Sequence, residues 1–322
     1  MADGVLDDNY VYSINNGSMA QADSIEAALQ NVALMYKLTG DSKYLNRIEE
    51  VLNLLCDPTK YPDWGQTHFS TSYVTTGVSL AYDWCYNDLK DETKRKVEEA
   101  LYKNYLLEYA AHYMGITGKA PEHYMESGGN TNTVTGVANI LATLCLYDKE
   151  GYEDISKFVF KVALYSVENS FEFYVRNEGA IPESVSYIGM CIHNLCIVLN
   201  ALETSLDMPL NYKYTRHLDR TAYYLLGIGG PMGYNDFHDT TSVQELVWEK
   251  PNMGSMSQIL YLGNTYNKSI TGAYKNLCLY NGIGAKTAWE IIWGGGNYPT
   301  EELVKDQLFR GLNDMVFFRN SY

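Results

Sequence analysis

Two short stretches of this 322-residue chain concentrate side chains able to do chemistry. The first is Ser127-Gly-Gly-Asn130-Thr-Asn132-Thr-Val-Thr-Gly136. The second is Asn177-Glu-Gly-Ala-Ile-Pro-Glu183-Ser-Val-Ser-Tyr187-Ile-Gly-Met-Cys-Ile-His193. Each opens a predicted helix, and at a helix start the free backbone N–H groups and the dipole favour an anion. Carboxamides donate hydrogen bonds without carrying charge, while a phenol or an imidazole can exchange a proton. Plainer roles compete at every position. Asn130 and Asn132 also suit N-caps, Tyr187 an inward-facing aromatic, and His193 a satisfied core histidine.

Other chemistries lack their residues. The chain has no GxxxxGK[ST] and no GxGxxG after a strand, which leaves nucleotide binding unsupported. It has no HExxH, no Cys/His cluster at metal spacing and no GxSxG elbow. The reading therefore assigns no metal and no cofactor. The six cysteines (Cys56, Cys85, Cys145, Cys191, Cys196 and Cys278) sit mostly in apolar helical runs without CxxC pairs, so they read as buried free thiols.

Composition narrows the partners. Lys plus Arg number 24 against 39 Asp plus Glu, a net charge of −15. So acidic a chain is poorly suited to wrapping duplex DNA or anionic lipid, and neither nucleic acid nor membrane is expected as a partner. Tyrosine is abundant, 29 against 9 Phe. Flat rings tipped with hydroxyls suit a long wet groove lined for sugars, and a plain compositional habit explains the excess equally well. The opening MADGVLDDNY has no apolar core of a secretory signal.

The elements that must hold these residues read as helices. Asp23 with Glu26 resembles a capping box, and Ile25, Ala28, Leu29, Val32, Met35 and Tyr36 follow at helical spacing up to Gly40. A second helix starts at Asp41, with Leu45, Ile48, Val51, Leu52 and Leu55 on one face. Three long stretches, 65–82, 127–147 and 184–202, contain no Asp, Glu, Lys or Arg and start 62 and 57 residues apart. Each is followed by a charged amphipathic helix. A helix without charge is covered on all sides, and one charged on a single face lies outside. The alternation predicts an all-α fold of helical hairpins around a centre, an incomplete (α/α) toroid over residues 1–300. The charge-free runs hold Asn, Gln, His and many Ser/Thr, so they read as core helices rather than membrane spans. Their polar residues cluster near the N-terminal ends, which would gather hydrogen-bonding groups at one mouth of the ring. Residues 301–322 change texture: LFRGLNDMVFFRNSY reads as the first strand or two of a β domain otherwise mostly absent from this sequence.

At these residues a resemblance emerges. AYDW (Ala81–Trp84) resembles the "AYDWLYD" helix end of the α/α-toroid lyases of the heparinase II/III and alginate lyase group. GGNTNTVTGVAN resembles that group's "NNWNxVxxGG", with Asn130 on the Asn of its "NW" pair and Thr131 in place of the Trp. NEGAIPESVSYIG resembles "DGAYPEGPGYWGYG", with Glu183 and Tyr187 on its Glu and first Tyr; Ile188 and Met190 replace later aromatics. GPMGYNDFHD resembles the "GPxGxxFNYGD" loop, and VFFRNSY the "VxFRSSW" entry to a β-sandwich. The likeness spans most of residues 60–322, carried by the order and spacing of loose motifs.

The resemblance implies cleavage of a uronic-acid polysaccharide, alginate or glycosaminoglycan-like, by β-elimination. It implies Asn130 as neutraliser of the substrate carboxylate, with Asn132 second, and Tyr187 as the proton-transfer residue. His193, His238 or His68 would support that phenol, and Trp64, Tyr73, Glu183 and Tyr234 would line the groove. It also implies a secreted or periplasmic protein acting on an acidic polysaccharide or oligosaccharide. Two rivals remain open: a glycoside hydrolase on the same ring, using carboxylates among Asp83, Glu183, Asp236 and Asp239, and a non-catalytic glycan-binding domain.

Overall fold

The computed structural model describes residues 2–14, 19–61, 64, 67–116, 128–175, 178–180, 185–207, 217–230, 233–234, 256–280, 287–299, 303, 306–310 and 315–318. Among them the chain is mostly helical, with two short antiparallel hairpins as the only strands. It divides into two compact units: residues 1–127 with 131–167, and residues 128–130 with 168–322.

The first unit begins with α1 (Ala2–Val5) and α2 (Asp8–Ser13), followed by α3 (Met19–Thr39) and α4 (Ser42–Leu55). Gly40 closes α3 with φ +67°, a conformation that glycine adopts without strain. Asp41 then caps α4, accepting from the Lys43 N–H at 3.0 Å. Buried Arg47 ties the N-terminal helices to α4, donating to the Leu6 carbonyl at 2.8 Å and to Asp8 at 3.0 Å. The expected cap at Asp23 is not formed, because α3 already starts at Met19. Glu26 instead turns inward, is buried, and accepts from Gln30 Nε2 at 2.8 Å.

The charge-free run at 65–82 forms α5 (His68–Cys85), in which every residue from Ser72 to Tyr82 is buried. Its most extensive partner is α3. The two backbones approach so closely that a methyl group on Gly77 would lie 2.8 Å from Glu26 Cα. The chain returns through α6 (Asp91–Ala100), a π-helical turn (Leu101–Leu106) and α7 (Leu107–Tyr113). Tyr82 meets Glu98 at 2.5 Å, Ser72 meets Tyr105 at 3.2 Å and His68 meets Tyr109 at 3.4 Å, which is antiparallel pairing.

The second charge-free run forms α8 (Asn130–Leu146), buried throughout from Asn132 to Thr143. Tyr105 Oη bridges Ser72 and the Thr135 carbonyl, and Cys145 Sγ donates to the Ser79 carbonyl at 3.6 Å. These contacts advance along both helices together, so α5 and α8 run parallel. The chain then returns along α9 (Glu153–Val175). Asn132 pairs with Ser166 and the Tyr147 ring with Phe160, again antiparallel. In this unit buried charge-free helices thus alternate in sequence with charged, more exposed helices.

The third run forms α10 (Val185–Leu206) in the second unit, with α11 (Leu218–Ile228), α12 (Ser257–Tyr266), α13 (Lys268–Tyr280) and α14 (Ala288–Ile292). Tyr187–Leu206 is long and apolar enough to cross a bilayer, yet most of it is buried in the fold. Strands β1 (Gly229–Gly230) and β2 (Gly233–Tyr234) form one hairpin. The β texture near the C-terminus forms the other, β3 (Gln307–Phe309) with β4 (Met315–Phe317), pairing Leu308 with Val316. Arg220 on α11 anchors it, donating to the Leu308 carbonyl at 2.6 Å with its guanidinium 4.8 Å from the centre of the Phe309 ring.

Two expectations follow for stability. Gly77→Ala forces apart the α3 and α5 backbones. The overpacking cost of about 1–3 kcal/mol outweighs the roughly 1 kcal/mol that alanine gains over glycine in a helix, so the denaturant midpoint falls. The second concerns Glu26. Burial, with Asp23 adding repulsion and Gln30 opposing it, holds its carboxyl well above the usual carboxylate range. The folded chain therefore keeps this proton where the unfolded chain loses it, and stability falls as pH rises from the unfolded carboxylate value through that window. Glu26→Gln removes the loss, so its melting temperature at neutral pH exceeds that of the wild type and the difference vanishes in acid.

Candidate functional site

The start of α8 is fixed by close contacts that admit only small side chains. A methyl group on Gly128 would lie 2.3 Å from Phe173 Cβ and 2.8 Å from the Asn169 carbonyl, and one on Gly136 would lie 2.6 Å from Val167 Cγ2. Asn132 is buried and its carboxamide is used in both directions. Its Nδ2 donates to the Ser166 carbonyl at 2.8 Å, and Ser166 Oγ donates to its Oδ1 at 2.5 Å. Asn132 therefore clasps α8 to α9. Asn130, the first residue of the helix, is half-buried.

At the start of α10, Tyr187 is half-buried while the following Ile188 and Gly189 are buried. His193 lies six residues further on. Its Nδ1 is 3.1 Å from Ser257 Oγ, and its ring meets Trp289 and Trp293 edge-on at 6.0 and 5.7 Å. Burial lowers its pKa to about 4. At neutral pH His193 is uncharged and supplies no cation to stabilise a phenolate.

A third group gathers at the start of α5, in the first unit. His68 is half-buried, with Nδ1 3.4 Å from Tyr109 Oη and its ring centre 5.9 Å from that of buried His112. Ser72 hydrogen-bonds Tyr105 at 3.2 Å, and Tyr105 donates to the Thr135 carbonyl at 3.3 Å. Asn139 Nδ2 donates to Tyr113 Oη at 3.1 Å, and His112 Nε2 lies 3.4 Å from Glu108. Burial pushes the phenols of Tyr105, Tyr109 and Tyr113 up, so all three keep their protons. The π-helical turn immediately before α7 adds a residue to the ladder and sets Tyr105 in line with Tyr109. Such turns recur at functional sites. Of this group the sequence pattern singles out only His68; the i, i+4 spacing of Tyr105, Tyr109 and Tyr113 was the available signal.

The remaining candidates are dispersed. Trp64 is wholly buried at a left-handed φ of +45°, its indole N–H donating to the Leu55 carbonyl at 2.7 Å. Tyr73 is buried beside Phe69, their rings 6.4 Å apart. Asp83 is exposed near the far end of α5. Tyr234 has its backbone in β2, paired with Gly229, while its side chain lies outside the described residues, as do Glu183, Asp236, His238 and Asp239. Trp64, His68, Tyr73 and Asn132 belong to the first unit; Asn130, Tyr187, His193 and Tyr234 belong to the second. Among the described residues no three His, Cys, Asp or Glu side chains group to hold a metal ion, and all six cysteines are free thiols. No protein-family model matches the chain, and no curated protein sequence matches it.

The clasp is open to test. Asn132→Leu strands the buried Ser166 hydroxyl and carbonyl without their partner and is expected to cost about 1–3 kcal/mol in chemical denaturation.

Proposed function

We propose that this chain is a polysaccharide lyase on an (α/α) toroid of helical hairpins, cleaving a uronic-acid polysaccharide by β-elimination. One observation supports it above others. Asn130 and Tyr187 stand in the first turns of two charge-free helices and stay half-buried, while the residues behind them on each helix are packed away. The residue resemblance to heparinase II/III-like and alginate lyases supplies the reaction class.

The chemistry divides between these two residues. The C5 proton of a uronate lies α to a carboxylate and is very weakly acidic. Asn130 donates to that carboxylate and stabilises the enediolate that develops as the C5–H bond breaks. Tyr187 serves as both base and acid: its oxygen takes the C5 proton and then returns it to O4. The C4–O4 bond breaks, a C4=C5 double bond forms, and O4 leaves as a hydroxyl on the departing sugar. Asn132 anchors the start of α8 beneath Asn130. With only 24 Lys and Arg, the chain fits a lightly sulfated polymer better than a heavily sulfated one.

The test is a panel of uronate polymers, read by absorbance of the conjugated unsaturated uronate. Wild type is expected to generate it, Tyr187→Phe to lose about 10²–10⁴-fold in rate, and Asn130→Ala about 10²–10³-fold. Unchanged elimination by Tyr187→Phe removes that residue from the mechanism. Reducing ends released without a double bond identify a hydrolase, and binding without turnover identifies a glycan-binding domain.

A further inference from the structure

The connection from α9 to α10 holds two successive residues in the left-handed region, Glu178 at φ +53° and Gly179 at φ +85°. Closing a helix accounts for Gly179. Its N–H donates to the Val175 carbonyl at 3.2 Å, and a methyl group on it would lie 2.5 Å from the Thr221 backbone nitrogen on α11. Helix closure does not account for Glu178. Left-handed backbone is unfavourable for a glutamate and persists where its surroundings hold it.

Glu178 is met from two elements far along the chain. Arg220 on α11 donates from Nε to the Glu178 carbonyl at 3.1 Å, and its Nη2 stands 3.9 Å from Glu178 Oε2. The same Nη2 donates to the Leu308 carbonyl of β3 at 2.6 Å, with the guanidinium over the ring of buried Phe309. The backbone N–H of Arg310, just past β3, donates to Glu178 Oε2 at 3.4 Å. A planar guanidinium aims its donors along separate directions and so holds both carbonyls at once; the compact ammonium of a lysine does not match this geometry. Beyond the turn, four residues join buried Ala180 to Val185, where the helix of Tyr187 begins. So short a join ties the helix start to the place where the turn is fastened.

We propose that Arg220 is a positioning residue that couples the β3–β4 hairpin to the α9–α10 turn. The two segments open and close together, and the hairpin sets how the chain enters the helix of Tyr187. The coupling stands on the hydrogen bonds alone; its effect on elimination rests on the lyase reading.

Hydrogen–deuterium exchange of the whole chain tests the coupling. In Arg220→Lys, which keeps the charge and loses the paired donors, peptides containing Glu178–Ala180 and Gln307–Arg310 are expected to exchange about 10- to 100-fold faster, in step. Peptides from α12 and α13, in the same unit, keep the wild-type rate. Glu178→Gly separates coupling from plain helix closure. Glycine suits φ +53° better than glutamate, so a cap alone leaves the hairpin as it was, whereas the coupling predicts faster exchange of the Arg310 amide. Acceleration of one segment alone in Arg220→Lys, of the whole unit, or of neither overturns the coupling, as does an unchanged Arg310 amide in Glu178→Gly. The effect on the reaction is read from kcat and KM on a uronate polymer. Arg220→Lys is expected to lower kcat about 10- to 100-fold at constant KM, because proton transfer depends on the placing of Tyr187. An unchanged kcat in a variant whose two segments have loosened overturns the positioning role. A wild type that cleaves no uronate defeats the lyase reading and that role with it, while the exchange rates still decide the coupling.

Discussion

An ionised side chain moved from water into a protein interior costs several kcal/mol unless it is paired. Helices wrapped on every side therefore carry no ionised residues, and α5, α8 and α10 obey this over most of their length. They are not purely apolar. Three of their threonines hydrogen-bond backward along their own helix, Thr75 to the Thr71 carbonyl, Thr135 to that of Thr131 and Thr143 to that of Ile140, each at 2.7 Å. Self-satisfied hydroxyls let a helix be polar in composition yet dry in surroundings. The small side chains on the same helices permit the near approach at Gly77 and Gly136.

That constraint was legible in the sequence because it is compositional. The three uncharged runs and the charged helices after them needed only counting, and the Gly40-Asp41 junction needed only turn and cap chemistry. The β hairpin near the C-terminus announced itself by residue type. Pairings set by tertiary packing were less visible. The pairing of Asp23 with Glu26 looks like a cap, yet Glu26 faces α5, a partner about fifty residues away. Leu101–Leu106 reads as ordinary helix, and nothing local betrays the extra residue in its turn. Trp64 and Tyr73 have the surfaces of sugar platforms, but packing buries both. The charge of His193 depends wholly on how deep it sits.

Burial also sorts which groups can exchange protons. In the first unit burial keeps the phenols of Tyr105, Tyr109 and Tyr113 in their protonated form. In the second unit burial lowers the pKa of His193, whose ring packs edge-on against two indoles.

The tryptophans give these environments an optical signature. Trp64 is fully enclosed and hydrogen-bonded in the first unit, a setting for blue-shifted emission. Trp289 and Trp293 lie 4.6 Å apart with ring planes at 32° in the second, close enough for their transitions to couple and produce strong near-ultraviolet dichroism. The exciton dichroism of this pair thus reports on the second unit without any added label.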